Sequence, residues 1–228
     1  MPLKLVQNLL SEPGFDEKGQ GAEIWVKESD HRIANNLQFV GGLLRLQASN
    51  LRRRQTACSP EETLAALDEA GRQIETVGRL HRLLAQRRDT ETVDITRFLR
   101  EIAEATVSSL GLADRAHLSF SSSQPCEVPA RQALPMGLIV GELVTNSVKY
   151  AHPTGVRGDI WVVCGRNREG GIDIQVSDDG VGLPEGFEPE QAESLGLRLV
   201  YAFSKQLDAQ LAFLQSDIGL TVRLSTPS

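Results

Sequence analysis

The sequence predicts an α+β protein in which a helical hairpin is followed by an α/β sandwich, a mixed sheet covered on one face by helices. Three observations lead to this class. Apolar residues recur at spacings of three and four over residues 23–87. A helix-start signal at Ser59 divides that region into two helices. Beyond residue 91, short alternating segments separate further helical ones, as expected for strands.

These patterns divide the chain into three parts. Residues 1–22 include the glycine-containing stretch "EPGFDEKGQGA" and are expected to be a flexible lead-in. Residues 23–90 are predicted to form the hairpin, and residues 91–228 a separate domain.

The hairpin is predicted from two apolar stripes. The first helix, from about Glu23 to Arg54, has a seam of Ile33, Leu37, Val40, Leu44 and Gln47. The second helix begins at "CSPEE", with Ser59 as N-cap, Pro60 in the first position and Glu62 completing a capping box. It runs to about Arg87, with its apolar side formed by Leu64, Leu67, Ile74, Val77, Leu80 and Leu84. Because one hairpin cannot bury both stripes, we expect a homodimer that completes a four-helix bundle.

A polar group interrupts the first helix at "ESDHRIANNLQ". At 100° per residue, His31 lies roughly opposite the apolar seam, so the helix displays it. Asp30 and Arg32 flank it, and Asn35 follows one turn later. This grouping favours a chemical role for His31, with a purely structural role as the alternative.

In the second domain, the expected elements are a helix from Ile95 to Leu110, strands at "HLSFSSS" and "CEVPA", and the apolar helix "ALPMGLIVGELVTNSVKYA". Two strands follow, "DIWVVCG" and "IDIQVSD". A glycine-rich loop, the helix "LGLRLVYAFSKQL" and strands "AQLAFLQS" and "LTVRLS" complete the domain.

The apolar helix carries three polar residues on one face. Glu142, Asn146 and Lys149 are spaced i, i+4 and i+7. An Asn carbonyl suits Mg²⁺, a Lys can meet a phosphate, and a Glu can orient or deprotonate a nucleophile. The alternative is that these residues merely face solvent.

Two glycine motifs follow. In "VSDDGVGLP", a strand ends at Asp178, and Gly180 and Gly182 allow a turn with close approach to a ligand. In "SLGLRLV", Leu195 and Gly196 open a helix whose free N–H groups attract phosphate. Each motif is weak by itself, since Asp-Gly is also common in ordinary turns.

In this order, the Asn-bearing helix, the DxGxG loop and the glycine at a helix start resemble the nucleotide site of the GHKL superfamily, which includes gyrase, Hsp90, MutL and histidine kinases. The resemblance covers about residues 130–225 and implies a Bergerat-type ATP-binding fold. It implies that Asp178 hydrogen-bonds the adenine amino group and that Asn146 ligates Mg²⁺. It also implies that Gly180, Gly182 and Gly196 shape the pocket and lid. Lys149, from its charge, and Leu195, beside Gly196, are further candidates for the binding site.

With that site present, "HRIANNLQFVGGLLRLQ" and "RQIETVGRLHRLL" resemble the sensor histidine kinases of the HRxxNN class, which are related to the HWE kinases. The resemblance extends over about residues 23–225. It implies that residues 23–90 are a dimerisation and phosphotransfer domain and residues 91–228 the catalytic ATP-binding domain.

The resemblance also assigns roles. His31 would accept phosphate from ATP and pass it to an Asp of a response-regulator receiver domain. From their own chemistry, Asp30 or Glu28 can hold the proton of the other ring nitrogen and so fix the imidazole tautomer. Arg32 can meet phosphoryl oxygens, and Asn35 can position ligands or water. Glu142 is the candidate orienting group or base.

Two other functions remain open. The chain could be a histidine phosphotransfer protein whose ATPase-like domain does no chemistry, or a GHKL ATPase or serine kinase acting on another protein. ATP binding separates the first alternative from a kinase, and the histidine-bearing hairpin argues against the second.

Composition excludes some classes. The net charge of −6 argues against a general nucleic-acid-binding surface. No apolar run approaches the roughly 20 residues of a membrane span. The N-terminus is a poor signal peptide, and Cys58, Cys126 and Cys164 lack metal-ligand spacing. We therefore expect reduced thiols and a cytoplasmic location.

Overall fold

A computed structural model of the chain describes residues 92–110, 116–192 and 194–228. It also describes positions 41, 42, 45, 48, 59–61, 63, 64, 67, 70, 71, 74, 75 and 78. The chain divides into two compact units, Met1–Ala48 and Ser49–Ser228. The described positions of the first unit, Gly41, Gly42, Arg45 and Ala48, are all helical, as their place in the predicted first helix requires.

The predicted second helix begins where the sequence indicates. Pro60 is the first helical residue, and the described positions from there to Gly78 are helical. The backbone carbonyl of Ser59 accepts hydrogen bonds from the N–H and the hydroxyl of Thr63, both at 3.0 Å. Glu62, the proposed partner in the capping box, lies outside the described residues, as does most of the first helix.

From residue 92 onward, ten helices and strands and one short 3₁₀ turn follow in order. They are β1 (Thr92–Asp94), α1 (Ile95–Ser109), β2 (Ala116–Ser122), β3 (Glu127–Pro129), α2 (Ala130–Tyr150), β4 (Gly158–Arg166), β5 (Ile172–Asp178), the 3₁₀ turn Pro189–Gln191, α3 (Leu195–Gln206), β6 (Gln210–Ser216) and β7 (Gly219–Ser225).

The main sheet has five strands in the order β2-β4-β5-β7-β6. β2 is parallel to β4, and the other neighbours are antiparallel, so the sheet is mixed as predicted. In the β4–β5 pair, Ile160 lies opposite Asp178. This register places the acidic end of β5 beside the beginning of β4.

The helices cover one face of this sheet. Along β4, Ile160, Val162 and Cys164 are buried, whereas Trp161 and Val163 remain 40% and 41% exposed. This alternation is the two-residue period of a strand with one covered face. The largest buried side chains of the helical layer include Phe98 and Leu99 of α1 and Met136, Leu138 and Ile139 of α2.

Local sequence explains where α1 and α3 begin. Asp94 caps α1 by accepting a hydrogen bond from the N–H of Arg97 at 3.2 Å. Ser194 caps α3 by accepting from the N–H of Leu197 at 3.4 Å. Each cap satisfies a backbone donor that has no partner within its helix. α2 has no such side-chain cap and begins directly after Pro129.

The α+β prediction is confirmed for the described residues from Thr92 onward. Strand β5 even has the predicted limits, Ile172–Asp178. One feature was not predicted: Thr92–Asp94 forms a strand that pairs antiparallel with Glu127–Pro129 as a small separate sheet. A segment of three residues is too short for an alternating pattern to be recognised.

Two of the three cysteines are described, and both are free and buried. Burial, with a smaller contribution from Cys126, raises the pKa of the Cys164 thiol to about 12. This thiol is therefore held in its unreactive protonated form.

Within the part of the chain that the structure describes, no helix combines the length and the apolar character needed to cross a membrane.

Candidate functional site

The last three turns of α2 carry the polar residues that the sequence singled out. Glu142 is buried, at 8% exposure, while Asn146 and Lys149 are half-buried. Three polar side chains on one face of a largely buried helix do not have the exposure of an ordinary solvent-facing stripe. Their partial burial favours the ligand-site interpretation over the solvent-facing one.

Asp178 ends β5 and is the most constrained side chain of the group. It is 8% exposed. Its Oδ2 accepts a hydrogen bond from the hydroxyl of Ser147 on α2 at 2.9 Å. Its Oδ1 accepts from the N–H of Gly180 at 3.1 Å and, more weakly, from that of Leu220 at 3.4 Å. Three elements thus fix the orientation of one carboxylate.

This arrangement leaves acceptor capacity unused. An ionised carboxylate has about four lone-pair sites. The three described donors occupy three of them, and the Leu220 contact is long. The remaining capacity suits one further N–H donor, such as an exocyclic amine.

The loop after β5 packs closely on the end of α2. At Gly180, any side chain would overlap Ala151, and the N–H of Val181 donates to the carbonyl of Ala151 at 2.9 Å. Gly182 has a φ of +71°, a conformation that residues with side chains rarely adopt. The glycines of the DxGxG motif therefore have distinct roles: Gly180 permits close packing, and Gly182 permits the turn.

The start of α3 meets α2 at Glu142. Leu195 and Gly196 are both buried in the first turn of α3. A Cβ at Gly196 would overlap Oε2 of Glu142, so this glycine allows the buried carboxylate to lie against the helix backbone. N–H groups of a first helical turn lack intrahelical acceptors and attract anions. Glu142 is thus placed at the end of the site where phosphate groups would bind.

Two family profiles match the chain. One, described as histidine kinase, matches residues 28–110. The other, described as histidine kinase-, DNA gyrase B- and HSP90-like ATPase, matches residues 132–228. The chain belongs to the histidine kinase family.

Curated relatives of this chain agree with that assignment. It is 31% identical over 205 residues to the sensor histidine kinase PdtaS of Mycobacterium tuberculosis, covering 89% of this chain and 39% of PdtaS. It is 23% identical over 205 residues to blue-light-activated histidine kinase 2 of Erythrobacter litoralis, covering 88% of this chain and 56% of that protein. The chain therefore spans about two fifths of the length of PdtaS and just over half that of the second relative.

Solved structures show the same fold. The histidine kinase domain of the Erythrobacter litoralis EL346 blue-light-activated histidine kinase aligns with a TM-score of 0.62 at 21% identity, covering 82% of this chain and 95% of that domain. A structure of the EL346 protein aligns with a TM-score of 0.68 at 22% identity, covering 86% of this chain and 62% of that chain.

The predicted site residues fall into two groups. Glu142, Asn146 and Lys149 lie on α2, Asp178, Gly180 and Gly182 lie at and after the end of β5, and Leu195 and Gly196 begin α3. The structure connects these elements through the Ser147–Asp178, Ala151–Gly180 and Glu142–Gly196 contacts. His31, Asp30, Arg32 and Asn35 lie outside the described residues, so their roles remain predictions.

Sequence reasoning missed Ser147. Its hydroxyl is the α2 donor to Asp178, and the residue is 9% exposed. A small hydroxyl residue on an apolar helix was the available signal. It was overlooked because Asn146 next to it has the more obvious ligand chemistry.

A second acid, Asp179, forms its own contacts beside Asp178. Its Oδ1 lies 2.7 Å from Nε2 of His152 and accepts from the N–H of Asp159 at 2.9 Å. Burial raises the pKa of Asp179, but the hydrogen bonds from His152 and Asp159 outweigh it, and the net pKa is lowered. Since the folded-state pKa is depressed, the stabilisation is present above the ordinary carboxyl pKa and is lost as pH falls through the lowered one.

Replacing Gly219 with alanine is expected to destabilise the folded chain. Gly219 has a φ of +126°, and a Cβ there would overlap the carbonyl oxygen of Asp178. Backbone strain of this kind costs on the order of 1–3 kcal/mol, and the overlap adds to it. Thermal unfolding should therefore occur at a lower temperature. Gly186→Ala is the matched control, because Gly186 also has a positive φ, +71°, but has open space around it. Equal stability of the two variants would contradict the overlap.

Proposed function

We propose that this chain is an ATP-dependent protein-histidine kinase of a two-component signalling system. In this proposal His31 accepts the γ-phosphoryl group of ATP and passes it to an aspartate of a response-regulator receiver domain. The observation that carries the proposal is the buried, three-donor anchoring of Asp178 in a chain whose residues 28–110 match a histidine kinase profile. A domain kept only for docking would have no need of so constrained an acceptor.

The nucleotide would lie along α2, from Asp178 to the start of α3. The free acceptor capacity of Asp178 suits the amino group of adenine. At the other end, Leu195 and Gly196 offer first-turn N–H groups to phosphate. Lys149, in the last turn of α2 two residues after Ser147, offers a positive charge beside the site. Gly180 and Gly182 shape the loop beside the base.

Magnesium fits the same arrangement through Asn146. Mg²⁺ in nucleotide sites keeps several waters and takes few protein ligands together with phosphate oxygens. Consistent with this, the described residues contain no cluster of three or more His, Cys, Asp or Glu side chains that could hold a metal by themselves. When bound, the ion would neutralise the charge that develops on the phosphate oxygens.

The proposed transfer of the γ-phosphoryl group from ATP to His31 needs no further reactant. A ring nitrogen of neutral His31 attacks the γ-phosphorus with its lone pair, and the bond from that phosphorus to the β,γ-bridging oxygen breaks, releasing ADP. Asp30 holds the proton of the other ring nitrogen, and Arg32 meets the phosphoryl oxygens. Asn35 and Glu142 orient the reacting groups. Such a reaction depends mainly on positioning and charge neutralisation, which these residue types supply.

The test is incubation of the protein with γ-labelled ATP and Mg²⁺. A label that is lost in acid and retained in base identifies phosphohistidine and supports the kinase. Absence of both labelling and ATP binding would favour the phosphotransfer alternative, in which the second domain only docks.

We further propose that the kinase is a homodimer joined through residues 23–90, with residues 91–228 as the catalytic domain. Leu64 and Leu67 of the second helix support this, because they are 61% and 57% exposed within the single chain. Large apolar side chains along one side of a helix are the pattern of an unfilled bundle interface. The receiver domain would dock on the first helix near Gly42, where none of the described side chains lies within 4 Å of a built Cβ. A cytoplasmic location, where ATP is available, follows from the proposed reaction.

Light scattering is expected to give about twice the chain mass of 24.9 kDa. The double variant Leu64→Glu, Leu67→Glu should shift the mass toward one chain, since two charges cannot be buried in an apolar bundle without large cost. Val156→Glu is the control and should remain dimeric, because Val156 is also apolar and 61% exposed but lies outside residues 23–90. A monomeric mass for the unmodified protein would refute the dimer.

A further inference from the structure

The end of α2 holds two adjacent acids through two different side chains. Ser147, in the last turn, donates to Asp178, and His152, just after the helix, contacts Asp179 at 2.7 Å. Ala151, between them, accepts a hydrogen bond from the loop at Val181. The segment from Asp178 to Val181 is thus fixed to the same short stretch of chain at three points.

Asp179 also ties this segment to β4. The N–H of Asp159 donates to its carboxylate at 2.9 Å, and its own N–H donates to the carbonyl of Asp159 at 3.4 Å. The Asp179 side chain therefore receives hydrogen bonds from two elements, one through His152 and one through the start of β4. It is placed to lock the peptide that follows Asp178.

Gly158 leaves room for the imidazole ring of His152. A Cβ at Gly158 would overlap the His152 ring and lie 2.9 Å from the Asp179 carboxylate. The φ of Gly158 is not in the positive region, so alanine would suit its backbone but not the space. A glycine here has a steric purpose, which is to let the ring of His152 reach Asp179.

We propose that His152 and Asp179, with Gly158 beneath them, form a clasp that positions Asp178 for recognition of the adenine base. His152 and Asp179 are positioning residues and act on the nucleotide only through Asp178 and the Gly180 loop. The inference rests on the proposed nucleotide site. Beyond that site, part of the recognition of the base is assigned to His152 and Asp179, which lie next to Asp178 and do not contact the base.

The experiment compares His152→Ala, Asp179→Asn and Gly158→Ala with the unmodified chain by calorimetric titration with ATP, ADP and GTP. We expect each variant to bind ATP and ADP more weakly by a similar factor of about two to five, as befits a partly exposed hydrogen-bonded pair. Preference for adenine over guanine nucleotides should fall as well. His152→Gln, which keeps an N–H donor at similar reach, should restore most of the affinity.

Asp173→Asn is the matched control. It breaks the 2.7 Å ion pair between Asp173 and Arg223 at the other end of the same strand, far along β5 from Asp178. If loss of an ion pair acted only through general stability, this variant would weaken binding as much as Asp179→Asn. Equal effects in the two variants, or unchanged affinity in His152→Ala, would overturn the clasp.

Amide hydrogen exchange without nucleotide separates this proposal from the proposed function. In His152→Ala, the amides of Gly180 and Val181 should exchange faster than in the unmodified chain, while those of β6 should not change. If exchange at these amides is faster in His152→Ala but the unmodified protein binds no ATP, the contacts of the clasp are supported and the nucleotide site is refuted. Unchanged exchange at both amides would refute the clasp even if ATP binds.

Discussion

His31→Ala is expected to abolish incorporation of label from γ-labelled ATP and to leave nucleotide affinity unchanged. A phosphoramidate bond to the chain requires an imidazole nitrogen, and alanine has no nucleophile. The proposed nucleotide site is built from α2, the end of β5 and the start of α3, and none of those elements includes residue 31. Loss of labelling with retained calorimetric ATP binding would therefore locate the defect in the acceptor alone.

The control for this variant is His117→Ala. His117 is exposed on β2 and is not among the predicted site residues. The His117→Ala variant should therefore incorporate label as the unmodified protein does. His81, in the predicted second helix, is the competing acceptor. Label that persists in His31→Ala and maps to His81 would show that the acceptor is wrongly assigned.

Most of the second domain could be predicted from the sequence because its elements have strong local signals. The alternating run Ile172–Asp178 has a period of two, with every second residue buried. The apolar helix is long enough to be recognised even with Pro135 inside it. The short pairing of β1 with β3 could not be predicted, because it depends on contacts between segments about 35 residues apart in sequence rather than on local pattern.

The candidate site was predicted less completely than the fold. Asp178, Asn146 and the glycines were recognised because their side-chain chemistry, or lack of a side chain, points to a ligand. Ser147, His152 and Gly158 were not assigned to the site, because each acts through a tertiary contact with another residue. His152 has no acidic neighbour in the sequence. Its acid, Asp179, is 27 residues away and meets it only in the folded chain.

Asp178→Asn is expected to weaken binding of ATP and ADP by roughly tenfold to a hundredfold. Loss of a hydrogen bond to a charged group costs about 1.5–3 kcal/mol, and each 1.4 kcal/mol is tenfold in affinity. The amide lacks the negative charge, so a hydrogen bond from the adenine amino group would no longer be charge-assisted.

The variant should still fold, and the structure gives the reason. An asparagine oxygen can keep the hydrogen bonds from Gly180 and Leu220, while its NH₂ group is directed at the hydroxyl of Ser147. A hydroxyl can accept as well as donate, so no buried polar group is left without a partner. The thermal unfolding temperature should therefore change little while affinity falls, which separates recognition from stability.

Asn146→Asp provides the complementary comparison. Because Asn146 is the proposed Mg²⁺ ligand, its replacement should alter the magnesium dependence of binding, whereas Asp178→Asn should weaken binding equally with and without the metal. Calorimetric titrations of both variants with and without Mg²⁺ make the distinction. Wild-type affinity in Asp178→Asn would remove Asp178 from base recognition. A loss in that variant confined to the magnesium-containing titration would place Asp178 at the phosphate end of the site instead.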